Sequence, residues 1–321
     1  MEVQLLAFDS FGARAMCVAV ETRSLRLVID PGVSLGPWRS GYRPHPLEAA
    51  AARQMWQRIV QAVREADVVV VTHYHYDHHA PWFPELYDGK ELWLKDFEQN
   101  INPSQLRRAR FWIHVLEDAG VEVRVRKADG KRFRRRGTSV SFSPPQPHGY
   151  SDRLGFVIQV VVEEGGERVL FTSDIQGPVV AEHTRFIVRR RPDLIIADGP
   201  PTYLVGSRWP QQALTVVETQ LLDLLKNLPD SSVVLDHHLV RDEAFRNRLA
   251  RVYDFGEGRI YTAAEFVGQE NQLLEARRPR LFQEHPAEPI YGIREAIFGR
   301  EAFKRIQKLR RRFGSGREEG D

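Results

Sequence analysis

The chain has 321 residues, 42% hydrophobic and 28% charged, with a formal net charge of +3. That composition excludes a disordered chain, and the length allows one large domain or two small ones with a sizeable core. No apolar run reaches the roughly 18 residues of a membrane span, and the single cysteine, Cys17, excludes a disulfide scaffold and a thiolate zinc site. The N-terminal MEVQLLAFDS has neither a basic n-region nor a small-residue cleavage site, so a cytoplasmic protein without a membrane partner is expected. Of the 46 basic residues 39 are Arg, which with three Met fits a GC-rich or heat-adapted source.

In chain order, VQLLAF, ARAMCVAVE and RLVID are short apolar runs between turn residues and read as strands, the third ending in Asp30-Pro31-Gly32. A Gly/Pro-rich loop leads to a helix over 47–66, with Met55, Ile59 and Val63 on one face. DVVVVTH is a buried strand running into His73. A helix over 107–120 precedes the strands VEVRVRK, TSVSFS, GFVIQVVVE and RVLFTSD, the last two joined at Glu164-Gly165-Gly166-Glu167. DLIIAD, a helix over 211–228 stopped by Pro229, and the strand SVVLD follow. Helices are expected over 242–253, from the Thr262/Glu265 capping box onward, and over 293–313. These elements give an α/β (α+β) catalytic domain over 1–260, a helical C-terminal extension over 261–321 packed on it, and a frayed tail at 314–321.

Chemistry concentrates in His73-Tyr74-His75-Tyr76-Asp77-His78-His79, directly after the apolar strand. Burying so many polar rings unpaired would cost several kcal/mol, and strand ends are where scaffolds carry functional loops. His73 and His75 share one side of an extended segment, while Asp77 and His78 can turn back from the other. Imidazole and carboxylate without thiolate suit zinc, manganese or iron.

HYHYDH matches the HxHxDH signature of the metallo-β-lactamase superfamily, and further residues fall at strand ends in that family's order: Asp30, His148 in PQPHG, Asp174, and His237 or His238 after SVVLD. The chain resembles that superfamily over 30–238, and is closest in look to a prokaryotic branch of predicted metal-dependent hydrolases. The resemblance implies an αββα sandwich with all five motifs at one edge. It implies two divalent metal ions, zinc first, with manganese or iron as alternatives. His73, His75 and His148 would hold one; Asp77, His78 and His237 the other; Asp174 would bridge. Asp30 would orient ligand imidazoles. His238 remains an alternative to His237, because neighbours on a strand point to opposite faces and SVVLD does not reveal which faces the site.

Such a centre would activate a metal-bridging hydroxide, with Asp77 and His78 as the catalytic pair of the loop and Asp77 orienting the nucleophile. The substrate would be a phosphodiester, RNA included, or a small ester or lactone. A nucleic-acid-binding protein that keeps the fold without catalysis is the alternative; all seven expected ligands are present, which favours the enzyme. The basic stretches 124–136 and 304–312 suit either a nucleic-acid substrate or plain solvated faces, and the sequence is compatible with a homo-oligomer. His75, where the flavin-linked diiron oxygen reductases carry Glu, argues against that branch, as does the lack of a flavodoxin domain. The interval from Asp174 to His237 is too short for the cap domain of the nucleic-acid-processing branch, and no excursion matches the arm of the tRNA-processing branch. β-Lactam hydrolysis proper belongs to secreted enzymes. His45, His79, His114, His183 and His285 read as surface or satisfied core histidines, and Asp198 as either a rim residue or a turn former.

Overall fold

Runs of Val, Ile and Leu bounded by turn residues form the middle of the molecule. In the computed structural model, which describes residues 1–314, they make two facing mixed sheets. The first holds β1 (Glu2–Phe8), β2 (Met16–Glu21), β3 (Arg26–Ile29), β4 (Val68–Val71), β5 (Glu91–Leu94) and β6 (Arg124–Lys127), in that order. β1 to β3 are antiparallel neighbours and β3 to β6 parallel ones. The chain then crosses to β7 (Arg132–Arg135) and β8 (Thr138–Phe142) of the second sheet. A small ribbon of β9 (Gln146–Pro147) and β10 (Phe156–Val157) stands apart. β11 (Val160–Glu164), β12 (Glu167–Phe171), β13 (Leu194–Asp198), β14 (Ser232–Asp236) and β15 (Ile260–Tyr261) complete the second sheet, ordered β15-β14-β13-β12-β11-β8-β7.

The period of two decides what each strand buries. Val160 and Val162 join Val140, Phe142 and the first sheet in one core, whereas Val161 between them joins the helix side of the second sheet. α1 (Pro46–Glu65) and α2 (Pro103–Ala119) bury Met55, Ile59 and Trp112 in the core of the first sheet. α3 (Ala181–Arg190) and α4 (Gln211–Asn227) cover the second, with Ile187, Val217, Leu221 and Leu224 against Leu170, Ile195 and Val233. The expected αββα sandwich is what forms.

Several boundaries differ from the sequence reading. The run GFVIQVVVE is split between β10 and β11, because the Ile158 N–H donates to Thr72 O of the first sheet (3.2 Å) and the Gln159 N–H to Ser143 Oγ (2.9 Å). α2 starts earlier than expected, since Asn102 Oδ1 accepts from Gln105 N (2.9 Å) and Pro103 opens the helix. The 242–253 helix is broken at Leu249 into α5 (Phe245–Arg248) and α6 (Ala250–Phe255). α7 (Ala263–Phe266) has the expected Thr262/Glu265 capping box but is one turn long. α8 (Arg278–Glu284) follows, and the expected last helix is two, α9 (Ile293–Phe298) and α10 (Arg300–Phe313), parted at Gly299 with φ +86°. The expected tail lies, from residue 315 on, outside the described residues.

The helices after 261 are keyed to the sandwich. Ile306 of α10 packs with Trp82, Phe111 and Val115, and Phe298 of α9 stands 5.0 Å from the Trp56 ring of α1. Arg278 is buried and forks onto Glu48 at 2.8 and 2.7 Å. Glu48 in turn caps α1 by accepting from His45 N (2.8 Å). Removing one partner of a buried pair strands the other charge, at a cost of about 3–5 kcal/mol. We expect Arg278→Met to lose about that much in urea denaturation, and Glu48→Gln added to it to restore most of the loss. Equal losses in the single and double variants would contradict the pairing.

Candidate metal centre

Every chemistry-bearing residue sits just past the carboxyl end of a strand, at one edge of both sheets, where open α/β sheets bind ligands. Asp9 follows β1, Asp30 follows β3 and His73 follows β4 closely; in the second sheet Asp174 follows β12 and His237 follows β14. His148 follows β9 and His75, Asp77 and His78 lie in the loop after β4. Gly32 makes that loop possible: a Cβ there would overlap the backbone nitrogens of His78 and His79.

Asp174 stands at the middle, and its two oxygens face different sets of imidazoles. Oδ2 lies 3.5 Å from His73 Nε2 and 3.2 Å from His148 Nε2. Oδ1 lies 2.9 Å from His78 Nε2 and 3.4 Å from His237 Nε2. Among the described residues four overlapping groups bring their ligand atoms within 4.8 Å of one another: His73, His75, His148 and Asp174; Asp30, His73 and His78; Asp77, His78 and His237; and Asp174, His237 and His238. The first and the third, with Asp174 beside the third, match the two expected ligand sets. His73 Nε2, His78 Nε2, His148 Nε2 and Asp174 Oδ1 are buried and make no aligned hydrogen bond despite their closeness. Unpaired buried polar atoms are costly, and imidazole nitrogens converging with carboxylates are the donor set of a zinc-, manganese- or iron-type cation. The residues fit such a pair of ions.

The far sides of the rings are held. His78 Nδ1 donates to Asp30 Oδ2 at 2.9 Å, and Thr72 donates to the same carboxylate from N (2.7 Å) and Oγ1 (2.5 Å). His237 Nδ1 donates to Asp9 Oδ1 at 2.7 Å. Fixing Nδ1 turns Nε2 inward and fixes the tautomer. Asp9 is a residue the sequence reading missed; the available signal was a carboxylate closing the first apolar strand, as Asp30 closes the third. Arg241 was missed as well: it donates from Nε to Asp9 Oδ2 (2.6 Å) and brings Nη2 to 3.2 Å from His237 Nε2.

The expectation that only one of His237 and His238 reaches the site is corrected. The strand ends at Asp236, and His237 takes φ +57°, so the alternation of an extended chain no longer applies. The two rings lie side by side, 4.5 Å apart. His237 Nε2 stands 3.8 Å from Asp77 Oδ2, whereas His238 Nδ1 donates to Asp198 at 3.0 Å. Asp198 is buried and also accepts from Gln176 N (2.7 Å), so it is neither a plain turn former nor a rim group. The other histidines have local roles: His45 caps α1 and reaches His285 O, His79 donates to His75 O, His183 reaches Pro147 O, and His114 is exposed beside Glu117.

Electrostatics separate the two groups. Burial, with the charge of His78, lowers the His73 imidazole to about 3, and burial holds His75 well below its ordinary value. Burial opposes the charged form of His78 too, but Asp174 and Asp30 outweigh it and push this imidazole up to about 10. His237 is raised in the same way by Asp174 and Asp9. Against their burial, Asp174 and Asp77 are held below the carboxylate range by His78 and His237. Metal-free protein at neutral pH therefore carries neutral His73 and His75 but protonated His78 and His237.

Cations compete with those protons. Metal binding at pH 7 should release about two protons per chain, from His78 and His237, read as a buffer-dependent binding enthalpy. Affinity at their group should rise with pH up to about 10, the value for His78. Without metal the sign reverses: the raised His78 stabilises the fold below its ordinary 6.5, and that contribution is lost as pH climbs through about 10. Proton release near zero would contradict the assignment. Gly32→Ala should push the loop off its place, lower bound metal below one equivalent by elemental analysis, and cost about 1–3 kcal/mol of stability.

The sequence model of the beta-lactamase superfamily domain matches residues 25–238. A UPF0282 protein of Korarchaeum cryptofilum is 40% identical over 293 residues, covering 90% of this chain and 96% of that protein. A UPF0282 protein of Metallosphaera sedula is 40% identical over 289 residues, covering 88% and 93%. Among solved structures, the metallo-β-lactamase fold protein YhfI of Bacillus subtilis has a TM-score of 0.50 at 11% identity, over 84% of this chain and 96% of that one, a likeness of fold. The resemblance drawn from the strand-end motifs is thus borne out, and the chain belongs to the beta-lactamase superfamily and, within it, to the UPF0282 proteins.

Proposed function

We propose that the protein is a hydrolase that works with two divalent cations, zinc first, on a small ester, lactone or phosphodiester. The observation that carries this reading is the division of Asp174, one oxygen toward His73 and His148 and the other toward His78 and His237. His73, His75 and His148 would hold one cation, Asp77, His78 and His237 the other, with Asp174 shared. Bound there, the cations supply a nucleophile at neutral pH and Lewis-acid polarisation of a substrate oxygen. Asp77 lines the cavity above and is ionised, so its carboxylate accepts a hydrogen bond from the attacking water and aims it. Asp198 fixes His238 at Nδ1, which leaves Nε2 to meet the substrate.

A small-molecule substrate is favoured over RNA. Among the described residues, none of 124–136 or 304–312 lines the cavity. β6 and β7, which carry the first stretch, are edge strands, and Arg124, Arg126 and Arg132 face Glu91 and Glu163.

Metal-loaded protein should hydrolyse at least one of bis-p-nitrophenyl phosphate, a thioester and a lactone, and chelation should abolish turnover. Asp174→Asn should lose nearly all of it, and Asp30→Asn, which weakens the carboxylate's hold on His78 and on Thr72, about 10- to 100-fold with weakened metal retention. Protein holding two metals per chain that turns over none of the three would sink the reading.

A further inference from the structure

The cavity over the centre measures about 320 Å³, within the range of small-ligand pockets. One wall is apolar: Val33, Leu35 and Pro37 from the loop after Asp30, and Ile293, Ile297 and Phe298 from α9. Both segments of that wall run on into large aromatic residues. Trp38 follows Pro37 directly, and Tyr291 stands two residues before Ile293. Trp38 is 57% exposed and Tyr291 63%, so more than half of each lies in water.

One guanidinium joins the two rings. Arg43 Cζ lies 4.5 Å from the ring centroid of Trp38 and 4.7 Å from that of Tyr291, so both rings meet the same cation. The cluster sits on a tight hairpin. Arg39 and Tyr42 exchange backbone hydrogen bonds of 2.9 Å across Ser40 and Gly41, whose φ of +51° and +82° are those of a type I′ turn. Trp38 and Arg43 flank that pair and share one face of the hairpin. Other contacts already fix the hairpin in place. The Tyr42 ring stacks on Phe282 at 5.5 Å, Arg278 donates to Tyr42 O at 3.0 Å, and Ile290 N donates to Pro44 O at 2.8 Å. Trp38 and Tyr291 are thus not needed as glue for the loop. Large rings left in water on a rigid frame, continuous with a cavity wall, mark a binding surface whose ordering cost is met in advance.

We infer that Trp38 and Tyr291 stack a planar aromatic group, the ring of an aryl ester or a heterocyclic base, carried by the molecule whose hydrolysable bond lies in the cavity. Ring faces select for flatness: a planar ring covers a whole indole face, whereas a puckered saturated ring of equal size touches only part of it. The inference rests on the hydrolase reading for the chemistry at the cavity floor, though not for the stacking. It makes the hairpin at 38–43 and the segment ahead of α9 a joint specificity element.

Equilibrium dialysis of the metal-loaded protein against 2-naphthol, adenosine and decahydro-2-naphthol, the saturated form of the first, tests it. At least one flat ring should bind about 10-fold or more tighter than decahydro-2-naphthol, and which one is preferred tells an aryl group from a heterocyclic base. Trp38→Ala and Tyr291→Ala should each weaken that ligand about 10-fold, with metal content and melting temperature unchanged. Trp38→Phe should keep most of the affinity, since a ring face remains. Decahydro-2-naphthol bound as tightly as the flat rings, or binding that both alanine variants leave intact, would overturn the inference. So would self-association in sedimentation that Trp38→Ala abolishes, which would give the rings to a second copy of the chain. Ring-dependent binding without turnover of any ester would leave the inference standing and remove the hydrolase reading. Turnover with binding independent of both rings would do the opposite.

Discussion

One buried carboxylate organises the centre. Asp174 comes from the second sheet, yet two of the four imidazoles around it, His73 and His78, come from the first. Whatever compensates its charge therefore also joins the sheets at this edge. In the metal-free chain the compensation is protonic, carried by His78 and His237; cations would replace those protons and satisfy the same oxygens. The hydroxyl pair Thr72 Oγ1 and Ser173 Oγ, 2.6 Å apart, spans the same seam directly beneath.

This arrangement is held against local backbone preference. Asp30, Ser173 and His237 have φ of +53°, +59° and +57°, a region costly for residues with a Cβ, at about 1–3 kcal/mol each. Such conformers persist only when their surroundings over-determine them. Asp30 accepts from Thr72 twice and from His78, and Asp236 fixes the turn at His237 by accepting from its backbone N at 2.7 Å. The strain falls where each strand must stop and deliver a side chain sideways into the cluster, not along the sheet.

That geometry explains what was legible in the sequence. β4 is four valines, so its end was plain, and the density of histidine after it had no apolar explanation. Asp30 and Asp174 could be found because each follows a recognisable apolar run, and His148 because it stands in PQPHG after the strand TSVSFS. The His237/His238 question could not be answered by strand alternation, because a positive φ intervenes and places both rings at the site. Asp9 left only the carboxylate that closes the first apolar run, and Arg241 left no pattern at all: each is a single polar residue whose partner is 228 or 232 positions away. α3 was missed for a similar reason, since only His183 and Ile187 of it are buried and two residues make no periodic face. The break at Gly299 was masked by a continuous helical pattern on both sides.

The C-terminal helices change what the centre can be. Without α9 the apolar wall of the cavity would be reduced to the loop around Val33 and Leu35, and the cluster would face an open edge. Burying Arg278 and Glu48 together is a poor way to gain stability, because desolvation cancels most of the attraction. Its effect is geometric. Beyond its fork onto Glu48, Arg278 donates to Gly36 O at 2.8 Å and Tyr42 O at 3.0 Å, carbonyls of the loop that carries Val33, Leu35 and Pro37 into the cavity. An apolar side chain of equal volume could pack there but could not set the height of those carbonyls. One guanidinium thus ties the extension, the start of α1 and the loop part of the wall into one frame, while α9, packed on α1 through Phe298 and Trp56, supplies the rest of that wall. The strand ends place the clustered imidazoles and carboxylates, and the extension walls the cavity that lies over them.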